Sequence, residues 1–347
     1  MNLYDLNRKH LTQLVESWGF RPIHADRIWK HLYSRLLPSI DYTDKHLPKD
    51  LLPKLQSEAS LFSPLLEADA KSCDGFTRKF LLRLEDGETI ETVLMRYSGR
   101  MTACVSSQVG CAMGCIFCAT GQMGFTRHLS TGEIVTQVLH VDRALRDQGE
   151  KLRNIVFMGM GEPLHNYDSV MTAIDILCDQ KGLSLAGKRI SVSTVGHVPG
   201  IRRLTKEKRN ISLAVSLHGA TDEDRNALVP LGRRWPLAEL MDACRQYAET
   251  LDRHIFFEWT LIDKKNDSPE QAHAVGKLLQ KIPSHVNLIP LNPTQGYEGK
   301  PGNNAAAHAF QAVLAKYQIP CTIRQRRGID VAAGCGQLKE LKQKVVS

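Results

Sequence analysis

Cys111, Cys115 and Cys118 stand in the run Cys-Ala-Met-Gly-Cys-Ile-Phe-Cys, three thiols within eight residues. Iron–sulfur proteins ordinarily hold a cluster with four cysteines. Three can bind three irons of a cubane and leave the fourth iron open to a small molecule. Zinc suits the run less well, because structural zinc takes four ligands in paired Cys-x2–4-Cys units and no second pair lies nearby. A separate thiol, Cys335, sits in Ala332-Ala-Gly-Cys-Gly-Gln-Leu338 behind Arg324-Gln-Arg-Arg-Gly328. Structural cysteines sit among apolar neighbours, whereas flanking glycines and nearby arginines favour a mobile thiolate. Cys335 is therefore a candidate nucleophile. Between the two lies Gly159-Met-Gly-Glu-Pro163, a sharp turn that offers the amides around Gly161 and one carboxylate, Glu162. Alone, such a turn is weak ground for a site.

These residues need a scaffold. From residue 101 the pattern alternates between strands and amphipathic helices. Strands are expected at 103–107, 154–158, 190–195, 211–217, 254–261, 286–291 and 322–325, and helices at 132–148, 168–178, 237–251, 268–279 and 305–317. Ser130-Thr-Gly-Glu133 reads as a capping box opening the first helix. Repeated strand–helix units imply parallel strands with helices outside, an α/β barrel or open sheet. Active sites on such sheets lie at the C-terminal ends of the strands. There the sequence places Ser193, Ser216-Leu217-His218 and Asn292, polar groups able to meet a ribose, a carboxylate or an adenine, although any one of them also suits a helix cap or loop. Upstream, Lys79–Leu84 and Thr89–Met95 flank Glu85-Asp-Gly-Glu88, a hairpin signal. Residues 1–60 read as short helices, with Ile28, Trp29 and Leu32 at helical spacing and Pro38, Pro48 and Pro53 as punctuation. That unit either docks a polyanion or caps the main domain. The expected division is 1–60, a helical accessory unit; 61–100, linker and hairpin; and 101–347, the barrel with its cysteine tail.

The chain has 347 residues, 42% hydrophobic and 24% charged, and a net charge of +8. These values are ordinary for a globular protein. The charge is compatible with RNA as partner. Arg202-Arg203, Lys206, Lys208-Arg209, Arg233-Arg234 and Arg324, Arg326 and Arg327 are candidates for phosphate contact, though such runs are usually solvated faces. No stretch is long and apolar enough to span a bilayer, and the N-terminus lacks a signal-peptide core. A cytoplasmic location without membrane partner is expected. Four of the nine cysteines fall between Cys104 and Cys118, which suits metal or redox chemistry in a reducing compartment. Cys73, Cys178, Cys244 and Cys321 carry no assigned role.

The three-cysteine spacing, with Phe117 before the last thiol, resembles the radical S-adenosylmethionine (SAM) superfamily. That resemblance implies a 4Fe-4S cluster on Cys111, Cys115 and Cys118, a partial (β/α)6 barrel, and Glu162 as receiver of the SAM ammonium. With Glu91-Thr-Val, Cys104-Val-Ser-Ser-Gln-Val-Gly-Cys111, Cys118-Ala-Thr-Gly-Gln-Met-Gly-Phe125, Met158-Gly-Met-Gly-Glu-Pro163 and Cys335-Gly-Gln-Leu338, it narrows to the RlmN/Cfr family over nearly the whole chain. The chain departs from the family at Gly328-Ile-Asp330, a shorter stretch, and at Gly334, where alanine is usual. The tail loop is expected to close differently. The family implies methylation of an adenine ring carbon in 23S rRNA, and in tRNA for some members, with two SAM molecules per turnover. Cys335 would become S-methylcysteine, Glu91 would take the ring proton, and Cys104 would release the RNA by a disulfide with Cys335. Electrons would come from a flavodoxin or ferredoxin. The Gly-Glu-Pro element and the segment after Cys118 favour carbon 2, as in RlmN, over carbon 8, as in Cfr. A radical-SAM enzyme with another substrate, or a non-catalytic iron–sulfur RNA-binding factor, are the competing readings.

Overall fold

The computed structural model describes residues 1–36 and 45–338; Pro38 lies outside the described residues. The strands are β1 (Leu65–Lys71), β2 (Thr77–Arg83), β3 (Thr89–Tyr97), β4 (Arg100–Cys104), β5 (Gln108–Gly110), β6 (Phe125–His128), β7 (Leu152–Phe157), β8 (Ile190–Thr194), β9 (Ser212–Ser216), β10 (Ile255–Leu261), β11 (Ser284–Pro290) and β12 (Cys321–Ile323). Ten of them form one sheet in the order β1-β2-β3-β4-β7-β8-β9-β10-β11-β12, while β5 pairs with β6 alone. Pairings from β1 to β4 are antiparallel. From β4 to β12 each is parallel, as helical crossovers between successive strands require. The edge strands β1 and β12 have one neighbour each, so the barrel stays open. This is the partial (β/α)6 architecture, six units and a closing strand, with an antiparallel extension.

Side-chain alternation sorts the two faces. In β8, Ile190, Val192 and Thr194 are buried while Ser191 and Ser193 are half-buried. In β9, Leu213 and Val215 are buried and Ser212 and Ser216 half-buried. A strand with a period of two points one set at the helices and the other into the lumen. Apolar residues take the helix side, and the lumen becomes polar.

Two boundaries differ from expectation for physical reasons. The strand expected at 103–107 ends at Cys104, because Ser106 leaves the ladder: its amide donates to Gln137 Oε1 at 2.8 Å and its hydroxyl to Glu91 O at 2.7 Å. Helix Val198–Glu207 was not among the helices expected. Proline is tolerated in a first turn, and His197 Nδ1 caps the helix by accepting from Gly200 N at 3.1 Å.

Helices Arg8–Ser17, Pro22–Tyr33 and Leu51–Glu58 occupy the N-terminal region. Their residues Leu11, Val15, Ile28, Trp29, Leu32 and Leu51 are fully buried in one core with the barrel helices. Asp5 Oδ1 accepts from Gly132 N at 2.6 Å, at the start of helix Thr131–Arg146. Arg8 pairs with Asp179 at 2.8 Å beyond helix Tyr167–Cys178. The packing is that of a cap over these two helices.

Candidate active site

The cysteine loop is pinned at both ends. Cys111 N donates to Gly124 O at 2.6 Å, and Ala119 N donates to Gly336 O at 2.7 Å. In its middle, Ile116 N donates to Leu228 O at 3.1 Å. A Cβ on Gly121 would stand 2.8 Å from Cys115 O, so only glycine lets the following turn fold back on the loop. Met113, Phe117, Leu228, Val229, Ile262 and Leu291 wall the thiols in with apolar surface. Burial pushes the Cys111 thiol up to about 12. It pushes Cys115 further up, with repulsion from Cys118 and Cys111 adding and Arg225 opposing. Three bare thiolates do not suit such a pocket, whereas thiolates neutralised by iron do. Among the described residues no three His, Cys, Asp or Glu side chains converge as ligands of a single metal ion. Three thiols that each bind a different iron need no such convergence, so the loop fits a cluster.

Glu162 is 2% exposed at the turn after β7. Its Oε1 accepts from Leu164 N at 3.0 Å and its Oε2 from Val195 N at 2.9 Å. Burial outweighs those amides and lifts its pKa to about 7. Gly161 has φ +99°, and a Cβ there would lie 2.5 Å from Gln108 Cβ, so glycine is required. Gln108 Oε1 in turn accepts from Glu162 N at 2.8 Å.

The strand-end residues divide by role. Ser193 and Ser216 lie half-buried on the lumen side of β8 and β9. Leu217 is fully buried and donates its amide to Glu258 O at 3.0 Å. His218 has φ +59° and its ring stands edge-on to Phe117 at 4.9 Å. Its Nδ1 accepts from Thr260 N at 3.0 Å, and burial lowers its pKa to about 3. His218 is thus a neutral ring with Nε2–H left to donate. Asn292 Nδ2 donates to Cys335 O at 3.0 Å, tying this strand end to the tail.

Cys104, at the end of β4, is buried, and its thiol is pushed up to about 12 by burial and by the neighbouring Cys335. No disulfide joins them: all nine cysteines are free. Cys335 is exposed on the tail; the protein packed around its thiol and then Glu258 raise it, with Arg324 the opposing charge. That corrects the expectation of a thiolate favoured by its arginines. Arg327 donates instead to Arg96 O at 2.7 Å and lies over Phe76 and Tyr97, while Arg326 reaches toward Asn292. The glycine at 334 has a geometric reason, for a Cβ there would meet Asn292 Nδ2 and Gln337 Oε1 at 2.7 Å. Glu91 is no water-facing edge carboxylate. It is 2% exposed on β3, an interior strand, and pairs with Lys79 at 2.7 Å. Lys79 Nζ also donates to Ala332 O at 3.3 Å.

Lys79, Glu258 and Arg225 escaped the sequence reading. Glu258 is a charge among apolar neighbours, in Ile-Phe-Phe-Glu-Trp-Thr-Leu of β10, and that intrusion was the available signal; Lys79 follows Arg78, and Arg225 stands between Asp224 and Asn226, so neither carried one. Glu258 accepts from Asn287 Nδ2 at 2.9 Å. Arg225, 1% exposed, donates to Ser216 O at 2.9 Å, to Leu217 O at 2.5 Å and to Val195 O. It therefore clamps the ends of β8 and β9, and Glu162 holds Val195 from its amide side. The basic run on helix Val198–Glu207 and beyond is committed elsewhere: Arg203 pairs with Asp168 and Glu207, and Arg209 with Asp175 and Glu207.

An open parallel barrel with three thiols in a pinned loop and a buried glutamate at the next strand end defines a radical-SAM protein. The Radical SAM superfamily matches residues 105–274. A radical SAM methyltransferase from Sphaerobacter thermophilus superposes with TM-score 0.93 at 44% identity, covering 98% of this chain and 99% of that one. Dual-specificity RNA methyltransferase RlmN 1 of Myxococcus xanthus is 59% identical, over 97% of this chain and 94% of its own length. A probable RlmN 2 of Opitutus terrae is 52% identical, over 99% and 87%. The chain belongs to the RlmN family of SAM-dependent radical RNA methyltransferases. Enzymes of this type use a 4Fe-4S cluster and SAM. No helix among the described residues is long and apolar enough to cross a membrane.

Proposed function

We propose that this enzyme methylates carbon 2 of an adenine in 23S rRNA, and in tRNA as well, through S-methylcysteine at Cys335. The observation that carries this reading is the tail loop. Asn292, Gln337 and the segment 118–120 hold it at the barrel mouth, with Cys335 beside Cys104 and Cys118. The name of the relatives, dual-specificity, supports more than one RNA substrate. Cys111, Cys115 and Cys118 would hold the cluster, which supplies the electron that cleaves one SAM. Glu162 accepts the SAM ammonium, and Ser193, Ser216, His218 and Asn292 face its polar groups, with the Gly161 and Leu217 backbone close by. Cys335 loses its proton, aided by Arg324, and takes a methyl group from a second SAM. A hydrogen atom then leaves the S-methyl carbon for the adenosyl fragment of the cleaved SAM, that carbon bonds to the adenine, and one electron leaves the adduct for the electron carrier. Glu91 takes the ring proton. Cys104 then bonds to the Cys335 sulfur, the sulfur–carbon bond breaks, and the freed carbon takes a proton to become the product methyl. Thiol attack of this kind needs a thiolate within reach, which supports the pairing of these two cysteines. A cytoplasmic flavodoxin or ferredoxin supplies the electrons.

Nucleoside mass spectrometry of rRNA and tRNA, after anaerobic reaction with SAM, tests this. The wild-type chain gives 2-methyladenosine and Cys335→Ala gives none. Product formed only at carbon 8 overturns the regiochemistry, and product from Cys335→Ala overturns the covalent route.

A further inference from the structure

The rim of the barrel mouth carries a row of rings that the chemistry above leaves unused. Phe125 of β6, His128 of β6, His165 after β7, His197 after β8 and Trp235 come from four separate stretches of chain. Their centroids follow one another at 5.2 Å (Phe125–His128), 4.8 Å (His128–His165), 6.0 Å (His165–His197) and 4.9 Å (His197–Trp235). The planes are turned by 61°, 77°, 44° and 75°, so that successive rings meet edge to face or tilted and alternate ones turn a face outward. Phe125 is 41% exposed, and His128 and His165 are also exposed, while His197 and Trp235 are half-buried, Trp235 with one side against the main core. The row borders the SAM side of the site. Gln108 Nε2 meets His128 Nδ1 at 3.0 Å and His165 Nδ1 at 3.1 Å, while the oxygen of the same amide holds Glu162 N.

The chemistry of the row narrows its partner. Burial and neighbouring positive charge lower the pKa of His128, and that of His197 to about 4, so these imidazoles present neutral ring surface. At the Trp235 end stand two exposed arginines, and the Arg234 guanidinium lies 4.9 Å from the indole centroid. Among the described residues neither Arg233 nor Arg234 has a carboxylate within ion-pair distance. Rings in series beside exposed arginines match unpaired nucleotides, whose bases stack while phosphates meet the cations. A duplex offers no free base faces, and an acidic protein would not call for a line of rings.

We propose that Phe125, His128, His165, His197 and Trp235 form a stacking ladder that binds the single-stranded nucleotides flanking the target adenine. The ladder rests on RNA as the substrate class and not on the chemistry assigned to Cys335. Its test is the affinity of the full-length chain, by fluorescence anisotropy, for an RNA hairpin with adenine in an unpaired loop and for a blunt RNA duplex of equal length. His165→Ala and Trp235→Ala each weaken hairpin binding about tenfold, the loss of roughly one stacked base. Duplex binding stays unchanged, and so does the salt dependence of hairpin binding, because no phosphate contact is lost. His165→Phe restores hairpin affinity. Wild-type affinity in both alanine variants, which leaves the rings to a protein partner, overturns the ladder; so does equal loss on hairpin and duplex, or failure of His165→Phe to rescue. Binding is read without turnover, so the ladder and the covalent route fail independently.

Discussion

At Glu162, the proposed receiver of the SAM ammonium, a carboxylate is 2% exposed. Two backbone amides hold its oxygens, yet its pKa stands near 7 against an ordinary 4.5 because desolvation dominates. The folded chain thus holds this proton more tightly than the unfolded chain does. The stability linked to it is full below about pH 4.5 and is lost as pH rises through 7. The SAM ammonium needs the ionised form. SAM affinity, measured by equilibrium dialysis, is therefore expected to rise between about pH 6 and 8. Glu162→Gln should flatten that rise and weaken binding at least tenfold, since hydrogen bonds to charged groups are worth about 1.5–3 kcal/mol. Affinity that is level across this range would remove Glu162 from the ammonium site. Little of this was legible in the sequence. The Gly-Glu-Pro turn marked the residue, but burial is set by Gln108, Val195 and Leu164, which lie 54, 33 and 2 residues away.

Among elements, the pair β2–β3 does more than extend the sheet. Leu81 faces Glu91 across the ladder, so Lys79 reaches Glu91 on the diagonal, a contact available to long side chains. The same ammonium then grips the tail at Ala332. One lysine links the proposed base to the loop that carries Cys335. Lys79→Met should lower stability by about 3 kcal/mol, as breaking a buried ion pair does. It should also cut the methylation rate more than Arg96→Ala, which removes a surface pair with Glu150. A melting temperature matching the wild type would refute the coupling. The hairpin itself was plain in the sequence, from Glu85-Asp-Gly-Glu88 between apolar runs. Strand β1, exposed along most of its length, was not, because only Ala68 and Ala70 stand between Glu67, Asp69 and Lys71, and alanine, aspartate, glutamate and lysine are all depleted in strands.

At the scale of the molecule, the open barrel is bridged by its own tail. After β12 the chain crosses back to the antiparallel extension, where Arg327 meets Arg96, Ala332 meets Lys79 and Asp330 accepts from Cys73 N at 2.8 Å. The N-terminal helices pack over helices Thr131–Arg146 and Tyr167–Cys178 on the outside of the barrel. Truncation before residue 61 uncovers apolar surface contributed by Leu11, Trp29 and Leu32 to the common core. The truncated chain should elute as aggregate in size-exclusion chromatography, whereas an independent RNA-docking unit would leave a monomeric barrel behind. Local patterning gave no means to choose between these, since an amphipathic helix shows that it has a partner but not which one.

Spacing alone marked the three thiols as a candidate centre, and two- and 3.6-residue periodicities determined the strand–helix order, because both are local properties of the chain. Motif resemblance carried the family. Only the folded structure decided that Cys335 lies near Glu258 as well as Arg324, that Glu91 is buried against Lys79, that Arg225 clamps two strand ends, and that five rings line one rim. Desolvation and pairing depend on residues distant in sequence, and no local pattern encodes which of them will meet.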